Sequence, residues 1–293
     1  MEKDAIKNKV KEGYGRVALE NKPCCGAPSS CCGASASIQT IGEMIGYSKE
    51  EMSQVPEGAN LGLGCGNPVA LASLREGQTV LDLGSGAGFD CFLAAKAVGE
   101  KGRVIGVDMT PEMVKKAREN AQKGGFRNVD FRLGDIENLP VPDDSVDVIL
   151  SNCVINLSPE KPKVFAEGFR VLKPGGKLTL SDVVLLRPLP PVLANSAAAY
   201  LGCVAGASLR DDYLDMLEAA GFEDVQVVGE SPFYLGEAAA DPIVQAIIAE
   251  AKLTPDKIKE VGESIVSIKV VATKAAWRKE SAPEGADSLS NGV

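Results

Sequence analysis

Val80-Leu81-Asp82-Leu83-Gly84-Ser85-Gly86-Ala87-Gly88 is the stretch that decides the fold. Its apolar start reads as a strand, and the glycines after it let the backbone turn tightly and approach a ligand that a Cβ would repel. Phe89 to Val98 continues as a helix, Val104-Ile105-Gly106-Val107 as a strand leading to Asp108, and Pro111 to about Gln122 as a second helix. The alternation goes on with strands at Val129–Leu133 and Val146–Leu150 and a helix near Pro162–Val171. After the turn Lys173-Pro174-Gly175-Gly176 comes a strand over Lys177–Val184. A helix at Asp211–Ala220 and strands at Val225–Val228 and Ser264–Ala272 close the series. This pattern predicts an α/β fold: a doubly wound, mostly parallel sheet of about seven strands, covered by helices on both faces.

Outward from that core the chain divides into four parts. Residues 1–75 form an N-terminal extension with a cysteine-rich loop, Cys24-Cys25-Gly26-Ala27-Pro28-Ser29-Ser30-Cys31-Cys32. Residues 76–186 are the cofactor-binding core. Residues 187–279 carry an α+β substrate region with the closing strands, in which Pro188–Ala207 is expected to fold over the sheet's carboxyl end as a lid. Residues 280–293 are polar and read as a disordered tail.

Composition narrows the function. A net charge of -9 over 293 residues, with no long Lys/Arg run, argues against a nucleic-acid partner. Met1–Glu20 lacks the uninterrupted apolar stretch of a signal peptide, and Leu178–Leu209 is broken by Asp182, Arg187, Pro188, Pro190 and Pro191. No membrane partner is expected, and the expected location is cytoplasmic. Eight cysteines in such a chain read as thiols, ligands or redox groups. The chain has no histidine, so its chemistry works without the usual neutral-pH base, a Cys-His pair or a Cys/His zinc site.

The glycine turn has the spacing Gly-x-Gly-x-Gly, and Asp108 follows about twenty residues on, placed to accept hydrogen bonds from ribose hydroxyls. The dinucleotide spacing Gly-x-Gly-x-x-Gly is absent, so NAD takes second place. Together with Gly106-Val107-Asp108-Met109, Gly134-Asp135-Ile136-Glu137-Asn138-Leu139-Pro140 and Leu172-Lys173-Pro174-Gly175-Gly176, the glycine stretch resembles the S-adenosylmethionine-dependent class I methyltransferases. The resemblance implies a Rossmann-like methyltransferase sheet and S-adenosyl-L-methionine as cofactor, with no metal cofactor. It implies that the cofactor is held by Asp82, Gly84, Ser85, Gly86, Gly88, Asp108, Met109, Asp135, Ile136 and Asn152. In this family the acid matching Asp108 holds the ribose and the one matching Asp135 reaches the adenine amine.

Three cysteines flank that core: Cys65 in Gly64-Cys65-Gly66-Asn67-Pro68, Cys153 in Ser151-Asn152-Cys153-Val154-Ile155-Asn156-Leu157, and Cys203 in Gly202-Cys203. These contexts resemble the arsenite methyltransferases, whose substrate is trivalent arsenic held by thiolates. The resemblance assigns arsenic binding and catalysis to Cys65, Cys153 and Cys203. Chemistry agrees, because a soft trivalent metalloid prefers sulfur donors and keeps a lone pair for a methyl cation without losing a proton. The bland alternative is that each cysteine is a small buried hydrophobe, which is the reading that suits Cys91.

Cys24, Cys25, Cys31 and Cys32 are read as accessory thiols, for relay or metalloid capture rather than zinc: the five residues between Cys25 and Cys31 exceed the usual zinc-knuckle spacing of about two to four. The implied partners are arsenite or its thiol conjugates as substrate, and a thiol reductant such as thioredoxin or glutathione. Two rivals stand beside this reading. One is a methyltransferase acting on a quinone, sterol or amine, and the other a non-catalytic metalloid-binding protein.

Overall fold

Thr79–Leu83 is buried at every position after the first, as a parallel strand covered on both faces must be, and forms strand β1. In the structure, a computed structural model that describes residues 3–20, 38–232 and 254–276, β1 is the hinge of the sheet. β2 (Arg103–Asp108) pairs with it on one side and β4 (Val146–Asn152) on the other, both parallel. β3 (Val129–Leu133) lies outside β2, and β5 (Leu172–Leu185) outside β4. β7 (Ile265–Thr273) then inserts antiparallel between β5 and β6 (Glu223–Pro232), giving the order β3-β2-β1-β4-β5-β7-β6. The seven-stranded, mostly parallel sheet is as expected, and the strands assigned to the C-terminal region belong to the same sheet as the core.

Before the sheet stand α1 (Lys3–Glu20), α2 (Ile38–Met44), α3 (Lys49–Ser53) and α4 (Pro68–Ala72). Helix α5 (Phe89–Val98) is apolar nearly all round and packs with α6 (Pro111–Gly124) on one face of the sheet. Proline at the first turn of α6 and Gly125 in the left-handed region after it bound that helix. On the other face, α7 (Lys161–Val171) and α10 (Arg210–Ala219) bring Val164, Phe165, Tyr213 and Leu217 against Leu178, Leu180 and Ile268.

One boundary differs from expectation. Lys173–Gly176 was expected as a turn ahead of a strand, but β5 begins at Leu172 and includes it. Leu172 pairs with Val146, the register then shifts before Val148 meets Lys177, and Gly175 donates its N–H to Lys274 O at 2.8 Å. The extra residues form a bulge that keeps its hydrogen bonds.

The segment Pro188–Ala207 packs against β5 and α1. It forms α8 (Pro191–Ala194) and α9 (Ala197–Leu201), and Leu193, Ala199, Cys203 and Val204 pack on Val183 and Leu185 of β5 and on Val10 of α1. The loop carrying Cys24, Cys25, Cys31 and Cys32 and the tail 280–293 lie outside the described residues. Among the described residues no helix is long and apolar enough to cross a membrane.

Candidate active site

The order of the strands puts the chain's switch point between β1 and β4, where connections leave in opposite directions and a crevice opens at the strands' carboxyl ends. Register aligns the relevant ends: Leu83 lies between Val107 and Ser151, so the glycine turn, Asp108 and Asn152 emerge side by side. The resulting cleft holds about 1120 Å³ of space continuous with solvent. Its walls include Asp82, Gly84, Ser85, Gly86, Asp108, Met109, Ile136, Asn152 and Cys153.

Gly86 has φ 51°, and a Cβ there would meet nothing within 4 Å, so its bare backbone faces the open cleft. Its N–H donates to Asp108 Oδ2 at 3.0 Å, while Thr110 N–H donates to Asp108 Oδ1 at 2.8 Å. Those two bonds fix the carboxylate and leave lone pairs for further donors. Ser85 Oγ is buried with no hydrogen-bond partner, a polar atom lacking its complement. Gly88 is turned away: a Cβ there would strike Phe131 and Phe92, so its bareness serves helix–sheet packing.

Three carboxyl groups lie around this turn, Asp82 and Asp90 buried and Asp108 half-buried. Asp82 accepts from Cys91 Sγ at 3.2 Å, and Asp90 accepts from Tyr47 Oη at 2.6 Å and from Asn152 Nδ2 at 3.1 Å. Burial pushes all three acids up: Asp82 well above the usual range, with the Asp90 charge adding to the effect, Asp90 to about 6, and Asp108 in the same direction. No lysine or arginine figures among the groups acting on them.

Asp135 joins Gly88 as an expected cofactor residue outside the cleft wall. Its carboxylate faces α1, with Lys7 Nζ at 3.6 Å and Lys11 Nζ at 3.7 Å, and it does not line the cleft. Ile136 and Glu137 do, and Lys7 pairs with Glu137 at 2.9 Å. Helix α1 thus supplies Lys7, Val10 and Tyr14 to the cleft wall, which no local pattern in the sequence announces. Tyr47 and Asp90 were also missed. Tyr47 carries no motif, whereas Asp90 is legible after the fact as an acid in the first turn of the helix that the glycines open.

The three thiols converge beside the cleft. Cys203 Sγ donates to Cys153 O at 3.0 Å, and Cys65 Sγ to Ser181 O at 3.4 Å. The neighbouring thiols, Cys203 first and Cys65 next, with burial third, hold the Cys153 pKa well above the ordinary thiol value. Cys153 lines the cleft, with Cys203 buried and Cys65 half-buried behind it. Asn152 joins the two regions: its Oδ1 accepts from Cys65 N–H at 3.0 Å and its Nδ2 donates to Gly66 O at 2.8 Å. A Cβ on Gly66 would collide with Ser181 Oγ, so glycine lets the Cys65 loop press onto the ends of β4 and β5. Asn67 caps α4 by accepting from Ala70 N–H at 2.9 Å, with Pro68 in the first turn, which accounts for the Asn-Pro that follows.

Cys153 and Cys203 both lie in the left-handed backbone region, with φ 59° and 62°. For residues with a Cβ this costs about 1 kcal/mol or more each. Cys91 is fully buried against Phe92 and Val80, apart from this cluster, as its structural reading has it. Among the described residues no group of His, Cys, Asp and Glu side chains has the arrangement of a resident metal site.

Comparison with known proteins places the chain. Residues 74–221 match the family described as a methyltransferase domain. An arsenite methyltransferase of Halobacterium salinarum is 46% identical over 277 residues, 91% of this chain and 66% of that protein. One from Aquipseudomonas alcaligenes is 40% identical over 78% of this chain and 66% of its own length. The crystal structure of CrArsM, an arsenic(III) S-adenosylmethionine methyltransferase from Chlamydomonas reinhardtii, superposes with a TM-score of 0.60 at 32% identity, covering 83% of this chain and 75% of that one. The chain spans about two thirds of the length of these curated relatives. The residues present fit S-adenosylmethionine, since uncompensated carboxyls suit its sulfonium and ammonium, and the orphaned Ser85 Oγ and bare Gly86 suit close approach of a polar ligand. On fold, cleft and likeness together, the chain belongs to the methyltransferase-domain family and, within it, to the arsenite methyltransferases.

Proposed function

We propose that this chain methylates trivalent arsenic, taking the methyl group from S-adenosylmethionine and holding the arsenic on Cys153, Cys203 and Cys65. The observation that carries the reading is that three cysteines remote in sequence pack in one cluster at the end of β4, where Cys153 opens onto the glycine-turn cleft.

Bound in the cleft, S-adenosylmethionine supplies an electrophilic methyl group on a cationic sulfur. Asp108, oriented by Gly86 and Thr110 N–H, would be the ribose partner, and a cation bound beside Asp82 and Asp90 would favour their ionised forms. The thiols load the substrate without a base. Arsenous acid exchanges each hydroxyl for a thiol sulfur, and the thiol proton leaves with the hydroxyl as water. A Cys153 thiol held in its neutral form is therefore no obstacle, and the missing histidines are not needed. The lone pair of the arsenic held by these cysteines would take up the methyl group that the cofactor supplies, the electron pair of the methyl–sulfur bond staying on the cofactor's sulfur. Arsenic is thereby oxidised by two electrons, and an external dithiol, itself becoming a disulfide, returns it to the trivalent state. The accessory role of Cys24, Cys25, Cys31 and Cys32 belongs to that reductive half of the cycle.

The test is methyl transfer from labelled S-adenosylmethionine to arsenite with a thiol reductant, with products identified by mass spectrometry. Methylated arsenicals are expected. Methylation of another small molecule that survives loss of all three thiols would replace this reading with that of a different methyltransferase, and tight arsenite binding without turnover with that of a binding protein.

A further inference from the structure

A left-handed cysteine persists only where its surroundings hold it, and two such residues face each other here. The Cys153 turn is tied to β5. Cys153 N–H donates to Ser181 O at 2.8 Å, and the fully buried Asn156 donates from Nδ2 to Asp182 Oδ1 at 2.8 Å and to Val183 O at 2.5 Å. Asp182 also accepts from Val183 N–H at 2.9 Å and Tyr213 Oη at 3.0 Å, so its carboxylate is the knot of that anchor.

The Cys203 turn is held against the first one by different means. Gly206 packs so closely that a Cβ would collide with the carbonyl oxygen of Asn156. Tyr200 Oη donates to Leu157 O at 3.2 Å, and Lys161 Nζ donates to Gly206 O at 2.6 Å. Lys161 is out of place by local rules. It is the first residue of α7, where the helix dipole disfavours a cation, and its ammonium turns inward towards Asp182 and Cys203 instead of into water. A residue that breaks the local preference of its helix and gives up solvation for one carbonyl has a task elsewhere.

We infer that Lys161 is a positioning residue for the thiol site: by pinning Gly206 O over the Asn156–Asp182 anchor, it holds the Cys203 turn where its sulfur and that of Cys153 can share one arsenic atom. This rests on the reading of the cysteines as substrate ligands. It deepens that reading by adding a group that never touches the substrate.

The experiment uses the full chain carrying Cys24→Ser, Cys25→Ser, Cys31→Ser and Cys32→Ser as its parent, so that those adjacent pairs cannot hold the probe, under a phosphine reductant, with phenylarsine oxide as a probe that needs two adjacent thiols. Affinities for the probe and for S-adenosylmethionine are measured by calorimetry on the parent, Lys161→Met and Lys161→Arg. In Lys161→Met, which keeps the aliphatic stem and loses the donor, probe affinity should fall about tenfold or more while cofactor affinity stays within about twofold. Lys161→Arg should recover much of the loss. Unchanged probe affinity in Lys161→Met overturns the inference, and so does a parallel fall in both affinities, which would make Lys161 a general stabiliser of the fold. A parent that fails to bind the probe sinks the substrate reading itself, so the two failures are distinguishable.

Discussion

The cofactor cleft and the thiol site meet at Asn152 and Cys153, yet the chain builds them by opposite means. At the glycine turn, positive φ falls on Gly84, Gly86 and Gly88, where it costs little, and at Gly86 bare backbone faces the open cleft. At the thiol site, positive φ falls on Cys153 and Cys203, where glycine would relieve the strain but remove the sulfur. Where function uses backbone, sequence and conformation agree. Where function needs a side chain at a tight turn, they conflict, and a network of buried bonds through Asn156, Asp182 and Lys161 must absorb the difference.

The hardest break of this contrast is Cys153→Ser. It keeps the turn and removes the one thiol that both faces the cleft and packs in one cluster with the other two, so arsenic methylation should fall by more than about a hundredfold, with S-adenosylmethionine affinity unchanged. Cys203→Ser should do the same. Labelled methyl transfer and calorimetry separate the two halves, and full activity in either variant would remove the thiolate mechanism.

Asp108→Ala attacks the other half. Loss of a carboxylate that bonds ribose hydroxyls should weaken S-adenosylmethionine about tenfold to a hundredfold while phenylarsine oxide still binds at full strength. Unchanged cofactor affinity would give the ribose to another group, of which Glu137, in the cleft wall, is the nearest acid by sequence to the displaced Asp135.

That displacement shows what could and could not be read in advance. Strand and helix periods made the sheet legible, because they are local, and the glycine turn with Asp108 named the cleft. The three cysteine contexts were legible as motifs. The Lys173–Gly176 bulge was not, because a register shift depends on the partner strand. Nor was the position of Asp135, since it depends on two lysines of α1, more than a hundred residues away. Asn152 was read as a cofactor residue, whereas its amide also clamps the loop of Cys65, and nothing in either segment marks that pairing. Long-range polar contacts leave no periodicity, and they are what join the two halves.

A smaller effect separates the halves by pH. Burial raises Asp182 to about 6, above its unfolded value of about 3.9, so the folded state holds this proton more tightly than the unfolded chain does. The sign follows: the group's stabilising contribution is complete below about pH 4 and is lost as pH rises through about 6. Asp182→Asn keeps an acceptor for Asn156 and cannot ionise. Its stability relative to the parent should therefore climb by about 2 kcal/mol between pH 4 and 7 in denaturant melts. Asp90, also raised to about 6, should give Asp90→Asn the same slope, but a saturating cationic cofactor should flatten it there and leave the Asp182 slope intact. Equal responses of both slopes to the cofactor would mean that the two acids report on one site.

The smallest effect belongs to the thiol that is on neither side of the contrast. Cys91 is buried in the wall between β1 and α5, and its S–H donates to Asp82 directly beneath the glycine turn. If thiol chemistry depended only on a cysteine being near the cofactor, Cys91 would matter as much as Cys153. It lacks the left-handed turn, the neighbouring sulfurs and the opening to the cleft, and burial and the Asp82 charge push its thiol pKa far up, so it has no route to an electrophile. Cys91→Ala should cost about 1 kcal/mol of stability for a small void and a weak lost donor, and leave arsenic methylation within about twofold of the parent. A loss of turnover comparable to that of Cys153→Ser, in a variant that still melts cooperatively, would show that the Asp82 carboxyl needs its thiol partner to hold the cofactor and would move Cys91 into the cleft's own machinery.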